Sequence, residues 1–405
     1  MVKKAKYYDV IIIGGGMVGA LCALALARSN LSIAVVEGKT VKSKWPQQSF
    51  DMRVSALTRA SQNMLSHLQV WPQMADMAVQ PFSDMHVWDS GGSGEIHFDC
   101  ADIGETCLGH IVENRVIHAA LWKKLKESPQ VDVICPAQAS AIQIDKHSAT
   151  IEFSDRGSLS GKLLVAADGS RSWVREQLGI EVEQGDYHQT ALVTTVKTEF
   201  THQDTAWQRF LPTGPLAFLP LRDGYSSIVW STANEQAAQL LALDEAAFSI
   251  QLANALQSRL GTISDIRQRA EFPLQHMHAK HYVLSRLALV GDAAHTIHPL
   301  AGQGVNLGFA DASCLADVVS RALKENRDIG AFGTLRQYER WRRGENALIL
   351  NGMTALKQLF GSENSLIKIV RNIGLTATSR ANPVRNQIIR LAMGLRGDLS
   401  SLARP

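Results

Sequence analysis

Apolar positions along this chain fall into two kinds of run. Short unbroken runs rich in Val, Ile and Leu occur at Asp9–Ile13, Ser32–Val36, Leu163–Ala167 and Arg286–Val290. Such runs predict parallel strands buried on both faces. Between the first two, Ala20–Arg28 is dense in Ala and Leu and predicts a helix. Further on, Thr190–Thr198, Ala206–Phe210, Pro215–Leu221 and Tyr225–Trp230 read as strands, parted by the turn signals Pro-Thr-Gly and Arg-Asp-Gly. Residues 234–260 read as helical. From about Arg336 the period becomes helical again, in RQYERWRRGENALILNGMTALKQLF, ENSLIKIVRNIGL and RNQIIRLAMGL, with basic residues between the apolar ones.

The residues just after each buried strand are chemically more telling. The first strand runs into Gly14-Gly-Gly16-Met-Val-Gly19, and the second ends at Glu37. This is GxGxxG in its strand–turn–helix–strand setting. Gly14 permits the tight turn, Gly16 lets a pyrophosphate approach the backbone, and Gly19 lets helix and strand pack closely. The helix N-terminus offers N–H donors to the phosphates. Glu37, 18 residues after Gly19, is placed to accept from ribose hydroxyls. A dinucleotide site is expected, though the motif by itself does not separate FAD from NAD(P). The third strand ends in Asp168-Gly169 and the fourth in Gly291-Asp292. In open α/β sheets, ligands bind at such C-terminal strand ends. The stretch 291–308, GDAAHTIHPLAGQGVNLG, is richer in glycine than any buried strand or plain turn needs.

Composition adds bounds. The 405 residues are 45% hydrophobic and 20% charged, ordinary for a soluble chain of two or three domains. The net charge of +3 is too small to argue for nucleic acid. It is unevenly spread: Arg321–Pro405 carries 15 Lys and Arg against 6 Asp and Glu. That segment could be a solvated helical face, or could meet anionic lipid or an acidic partner. Cys22, Cys100, Cys107, Cys135 and Cys314 form no CxxC pair, which points to reduced thiols and a cytoplasmic setting. The first residues do not read as a signal peptide, and no run of 18 uncharged apolar residues occurs. His295 and His298 have no third ligand nearby and sit in a Gly/Pro loop, so no metal site is expected.

Taken together, GxGxxG near the start, DGxxSxxR at Asp168–Arg175 and GDAAH…P…GQGxNxG at 291–308 are three signatures of the single-component FAD-dependent aromatic hydroxylases. The chain resembles that group, whose architecture is that of para-hydroxybenzoate hydroxylase. HPLAGQGVNLG, Asp51-Met-Arg53-Val-Ser-Ala-Leu57 and Gly109-His-Ile-Val-Glu113-Asn114 are similar to the ubiquinone-biosynthesis hydroxylases, the UbiH/UbiF/UbiI (VisC) group. Residues 106–122 and 187–197 look closest to the UbiI branch.

The resemblance implies an α/β fold: a Rossmann-like FAD-binding domain, an inserted α+β substrate domain and a helical C-terminus. The expected division is 1–75, 108–180 and 273–335 for FAD, 76–107 and 181–272 for substrate, and 336–405 for the C-terminal segment. It implies that Asp292 reaches the ribityl chain or ribose of FAD. Gly302, Gly304 and Gly308 would let the main chain lie against the isoalloxazine ring, with N–H groups around Val305 and Asn306 bonding its pyrimidine carbonyls. Gln303 would be a flavin neighbour, and Pro299 would fix φ where the chain crosses the ring. Arg53 would follow the flavin as it swings, Asn114 would lie near the flavin, and Asp168 with Gly169 would serve FAD and donor docking. His295 would satisfy loop backbone groups, and His298 would face the substrate cavity as a candidate base. Trp207, Phe218, Leu219, Pro220 and Trp230 could line that cavity or be ordinary core.

The implied reaction takes electrons from NAD(P)H and oxygen from O2, by way of a flavin C4a-hydroperoxide, to hydroxylate the ring of a polyprenylated phenol, at C5 in the nearest branch. A second GxGxxG domain for the donor is absent from the sequence, which transient docking at the flavin face would explain. Implied partners are the lipophilic substrate, other ubiquinone-biosynthesis proteins and, at the periphery, the inner membrane. A flavin reductase of an isoprenoid that inserts no oxygen, or a non-catalytic flavin-binding subunit, are the rival readings. Prenyl length, NADH against NADPH and oligomeric state stay open.

Overall fold

In the computed structural model, residues 6–42, 44–46, 48–92, 94–296, 304–361, 372, 374, 378 and 381–405 are described. The first apolar run forms β1 (Lys6–Ile13), and the glycine turn leads into α1 (Met17–Ala27). Every residue from Gly19 to Leu26 is buried, which only a helix apolar on all sides tolerates. Then come β2 (Ile33–Val36), β3 (Val54–Leu57) and α2 (Arg59–His67). The hairpin β4 (Asp84–Asp89) and β5 (Glu95–Asp99) is followed by β6 (Gly109–Glu113), which runs directly into α3 (Asn114–Glu127). β7 (Val131–Ile134) and β8 (Ser158–Ala166) complete this half. Four long strands follow: β9 (Val182–Thr198), β10 (Thr205–Leu211), β11 (Gly214–Pro220) and β12 (Tyr225–Ala233). The chain then forms β13 (Ala270–Ala279), β14 (Leu287–Leu289), β15 (His295–Thr296), α4 (Gly304–Lys324), α5 (Phe332–Gly361) and α6 (Asn382–Ala392).

Five strands of the first sheet run β14–β8–β1–β2–β7, all parallel, while Val283–Leu284, Ala149–Phe153 and Ala139–Ile144 add to it antiparallel. Its register matters for function. Ile13 stands opposite both Val36 and Ala166, and Ala166 stands opposite Leu289. Four strands therefore end level, and their next residues share one rim.

The second sheet runs β15–β13–β9–β12–β11–β10–β4–β5. β9 begins at Val182, eight residues before the predicted Thr190. The mostly polar stretch 182–189 has only Val182 and Tyr187 as apolar positions, without the alternation that marks a strand. It is a strand because its backbone pairs with β13, from Val182 opposite Ala279 to Val193 opposite Ala270. β13 itself runs through the expected boundary at 272/273. β15 then adds to β13, with Met277 opposite Thr296 and His278 opposite His295, so the second sheet is tied to the segment leaving the first. Phe218, Leu219 and Trp230 are core residues of this half, and Trp207 packs on the same core.

A small third sheet holds β6 between β3 and Gln80–Phe82. His110 on β6 is buried there, edge-on to Trp71 at 4.8 Å between ring centroids. Burial, with the Arg59 charge, pushes its pKa from 6.5 down to about 4. The unfolded chain thus takes up this proton near pH 6.5 and the folded one only near pH 4. Its contribution is whole above the upper value and is lost as pH falls toward the lower, by on the order of 3 kcal/mol. A urea-denaturation series across that window is expected to show the decline, and His110→Gln to flatten it; an identical decline in the variant would assign it to other groups.

Candidate active site

The level strand ends deliver Gly14 after β1, Glu37 after β2, Asp168 after β8 and Gly291-Asp292 after β14 to one rim. Gly14 has φ +102°, and a Cβ there would lie 2.3 Å from the Ala167 carbonyl oxygen. At Gly19 a Cβ would lie 1.9 Å from the Gly14 oxygen. These two glycines serve the turn and the helix packing. Gly16 differs, because a Cβ there meets nothing within 4 Å. It caps α1 with no side-chain partner, so the first N–H groups of the helix face open space. Glu37 is held beside them: its Oε2 accepts from Gly15 N at 2.7 Å and its Oε1 from Lys39 N at 2.8 Å.

One face of α3 braces this turn. His118 Nε2 lies 2.9 Å and Trp122 Nε1 2.6 Å from the Gly15 carbonyl oxygen. Arg115, a turn earlier, bonds Ser49 and the buried Glu113 and lies over the Trp45 ring at 4.8 Å. Sequence reasoning missed all three, although the spacing 115, 118, 122 after a strand marks one helix face. Glu113 also accepts from Asp51 N at 2.6 Å, and Asp51 accepts from Arg115 N at 3.0 Å, which fixes the Asp51-Met-Arg53 segment. Arg53 is exposed, lies 5.6 Å from the Phe272 ring and is near enough to Asp292 to stabilise its charge. Asn114 accepts from Ser55 Oγ at 2.7 Å, while its Nδ2 bonds no described residue.

Asp168 accepts from Val174 N at 3.1 Å through Oδ2, and its buried Oδ1 has no partner among the described residues. Gly169 takes φ +85°. Arg175 of the same motif ties two rim loops together, donating to Ala293 O at 3.0 Å and Ser170 O at 2.8 Å. Asp292 lies deep in the molecule yet keeps an exposed surface, so it lines a cleft and does not fill a core. Burial raises its pKa, and the His295 and Arg53 charges oppose that rise.

His295 departs from expectation. Its partner is a side chain: Nε2 lies 2.5 Å from Asp311 Oδ2, with both residues buried. Asp311, on α4, also accepts from Gly291 N at 3.1 Å, Arg342 Nε at 2.8 Å and Asn346 Nδ2 at 3.1 Å. Burial by itself would raise the Asp311 pKa, but His295 and Arg342 hold it down to about 2. This network ties α4 and α5 to the strand end carrying Asp292.

α4 opens at Gly304, where a Cβ meets nothing within 4 Å, and no acidic residue occupies its first turn. The N–H groups of Gly304, Val305 and Asn306 thus have no partner in their own helix. The Asn306 side chain pins this end, accepting from Ser61 Oγ at 2.6 Å and donating to Ala56 O at 2.8 Å. Gly308 has a packing reason: a Cβ there would lie 2.5 Å from Val18 Cγ2, across the α1–α4 contact. His298, Pro299, Gly302 and Gln303 lie outside the described residues. Among those described, no group of three or more His, Cys, Asp and Glu could hold a metal.

The open edge at Gly16, the orphaned Asp168 oxygen and the N-terminus of α1, which no side chain caps, fit a long anionic dinucleotide such as FAD. The fold is that of solved flavin enzymes. p-Nitrophenol 4-monooxygenase PnpA from Pseudomonas putida DLL-E4 superposes with a TM-score of 0.77 at 18% identity, over 96% of this chain and 98% of that one. PqsL, a probable FAD-dependent monooxygenase from Pseudomonas aeruginosa, gives 0.76 at 22%, over 92% and 100%. Fold and site define an FAD-binding protein, and its relatives by sequence give the class, an FAD-dependent aromatic monooxygenase. The Escherichia coli (strain K12) 3-demethoxyubiquinol 3-hydroxylase is 36% identical over 389 residues, covering 96% of this chain and 98% of its own. Human mitochondrial ubiquinone biosynthesis monooxygenase COQ6 is 36% identical over 437 residues, covering 95% and 92%. The chain belongs to the family described as an FAD binding domain, whose model matches residues 7–347, and within it to the ubiquinone-biosynthesis hydroxylases.

Proposed function

We propose that this enzyme hydroxylates the ring of a polyprenylated phenol, at C5, in ubiquinone synthesis. The observation that carries the reading is the common rim of four level strands, with the second sheet tied to it through β15. In this reading the N–H groups at Gly16 and along the first turn of α1 hold the pyrophosphate. Glu37 accepts from ribose, and Asp292 accepts from the ribityl chain. Asn114 and Asp168 offer their spare polar atoms, and Arg53 stabilises negative charge. The N-terminus of α4, at Val305 and Asn306, donates to the flavin carbonyls, most strongly when the ring is anionic. Bound FAD supplies the oxygen-activating redox chemistry, and NAD(P)H supplies the electrons. The chain's own work is orientation, electrostatics and exclusion of water.

The ring position rests on the patterns at 106–122 and 187–197. The E. coli relative's name gives position 3 of demethoxyubiquinol, and the human relative, equally identical at 36%, is named for no position. Identity therefore does not choose. A prenylated substrate favours contact with the membrane surface, and α6 leaves Val384, Ile388 and Leu391 exposed along one face. No described helix is long and apolar enough to cross a membrane.

Complementation tests the proposal. The chain is expressed in bacterial strains each lacking one ubiquinone ring hydroxylase, and extracted quinones are identified by mass spectrometry. Restored ubiquinone in the C5-deficient strain alone is the expected result. Rescue of another strain would move the ring position, and no rescue by a well-expressed, yellow protein would reject the reaction.

A further inference from the structure

A cleft of about 920 Å³ opens between β13 and α5, away from the glycine turn. Arg336, Arg340 and Arg343 line one wall. Their spacing sets them on one face of α5, and the stripe they form is about 10 Å long at 1.5 Å rise per residue. His276, His278 and Lys280 of the β13 segment line the opposite wall.

The charges here are unbalanced in a specific way. Arg342, on the neighbouring face of α5, is saturated by Asp311, Glu345 and Asn346. Arg336, Arg340 and Arg343 have no carboxylate within ion-pair distance among the described residues. Of the two acids lining the cleft, Glu339 is spent on Tyr282 N at 2.7 Å and lies 3.9 Å from His281, which leaves Glu183. The buried Nδ1 of His276 also lacks a partner among the described residues. Across the hollow Lys280 is paired with Glu181 and burial lowers the His278 pKa, so the excess of positive charge is the arginine stripe. Like charges three and four residues apart on a helix repel, so this stripe along a hollow suits a multiply charged anion. The hollow is concave and of the size that takes a small ligand, whereas a bilayer meets exposed convex faces.

Position narrows the anion. His278 pairs across the ladder with His295, and its Nε2 lies 2.9 Å from Tyr282 OH, which stacks on His295. The segment after β15 is the motif loop assigned to the flavin. A ligand anchored in the cleft is therefore one strand away from His295 and Thr296 of β15. Phe332 at the margin is 46% exposed, a free aromatic face for a base to stack on.

We propose that this cleft binds the phosphates of the nicotinamide dinucleotide donor, with Arg336, Arg340 and Arg343 as their counter-charges. The inference rests on the monooxygenase reading, since only an enzyme reduced by such a donor needs the site. It accounts for a chain that carries one GxGxxG unit and still takes electrons from a second dinucleotide.

The test is anaerobic stopped-flow reduction of the FAD-loaded enzyme, with NADPH and NADH varied separately. In Arg340→Glu the apparent Kd for the donor is expected to rise about tenfold or more, as for the loss of one charge-assisted phosphate contact. Flavin content and the limiting reduction rate should stay as in the wild type. Arg340→Gln should give a smaller rise, and serves if the reversal folds poorly. Inorganic pyrophosphate should compete with the donor in the wild type and compete less well in the variants. An unchanged donor Kd in both variants overturns the proposal. So does loss of binding to phosphatidylglycerol-containing vesicles with donor Kd unchanged, which would make the cleft a lipid-headgroup site. If neither donor reduces the wild-type flavin, the functional reading itself fails, an outcome separate from the first two.

Discussion

Gly16→Ala is expected to fold like the wild type and to purify with little or no flavin, while Gly19→Ala is expected to lose stability as well as flavin. The two glycines share a motif but face different surroundings. A Cβ at Gly16 meets nothing within 4 Å, so the protein itself has no objection to it. It would project into the approach the pyrophosphate needs to reach the N–H groups of α1. Hydrogen bonds to charged groups contribute about 1.5–3 kcal/mol each, so losing even one weakens FAD about 10- to 100-fold. A Cβ at Gly19 would lie 1.9 Å from the Gly14 oxygen and 3.0 Å from Ala167 Cβ, which backbone movement alone can relieve. That strain costs about 1–3 kcal/mol in a packed interior. Flavin absorbance per chain, set beside urea-denaturation midpoints, separates the two effects. A Gly16→Ala protein that stays fully yellow would reduce the turn to a packing device and remove the basis for placing FAD there.

Asp311→Asn is expected to destabilise the protein by about 3–5 kcal/mol, because it removes the fully buried carboxylate shared by Arg342 and His295 and leaves the half-exposed Glu345 as the remaining counter-charge of Arg342. Asp311 and Arg342 are 0% and 3% exposed, and His295 on the other side of the carboxylate is 2% exposed. A combined replacement, Asp311→Leu with Arg342→Met, should cost much less than the sum of its single changes, since it removes both charges together. Calorimetry or urea unfolding of the four proteins measures the difference. Additive effects would mean that the carboxylate and the guanidinium do not act on each other. The pH dependence has a fixed sign. The Asp311 pKa is held down to about 2 against 3.8 for a free side chain, so its stabilisation is complete above about pH 4 and fades as pH falls toward 2. Beyond stability, Asp311 accepts from Gly291 N, so the asparagine is also expected to loosen the loop carrying Asp292 and lower flavin occupancy.

Features that depend on neighbours along the chain were legible before any fold was known. The apolar runs before Gly14, Asp168 and Gly291 became parallel strands, because burial on both faces requires an unbroken apolar run. Gly14 and Gly19 were legible because a turn that tight, with a helix packed that close, excludes a side chain. The group of enzymes was legible from three motifs in order. Features that depend on partners far apart in the chain came only with the fold. Nothing near His295 announces Asp311, 16 residues on, and nothing near Asp311 announces Arg342, 31 residues further. Charge pairs inside a protein are chosen by packing, which leaves no periodic trace. The eight mostly polar residues that begin β9 became a strand only because β13 offered them a ladder. His118 and Trp122 reached the glycine turn only because α3 crosses it. The arginines of α5 read as a basic amphipathic face, and only the fold set that face against the histidines of β13 across a hollow.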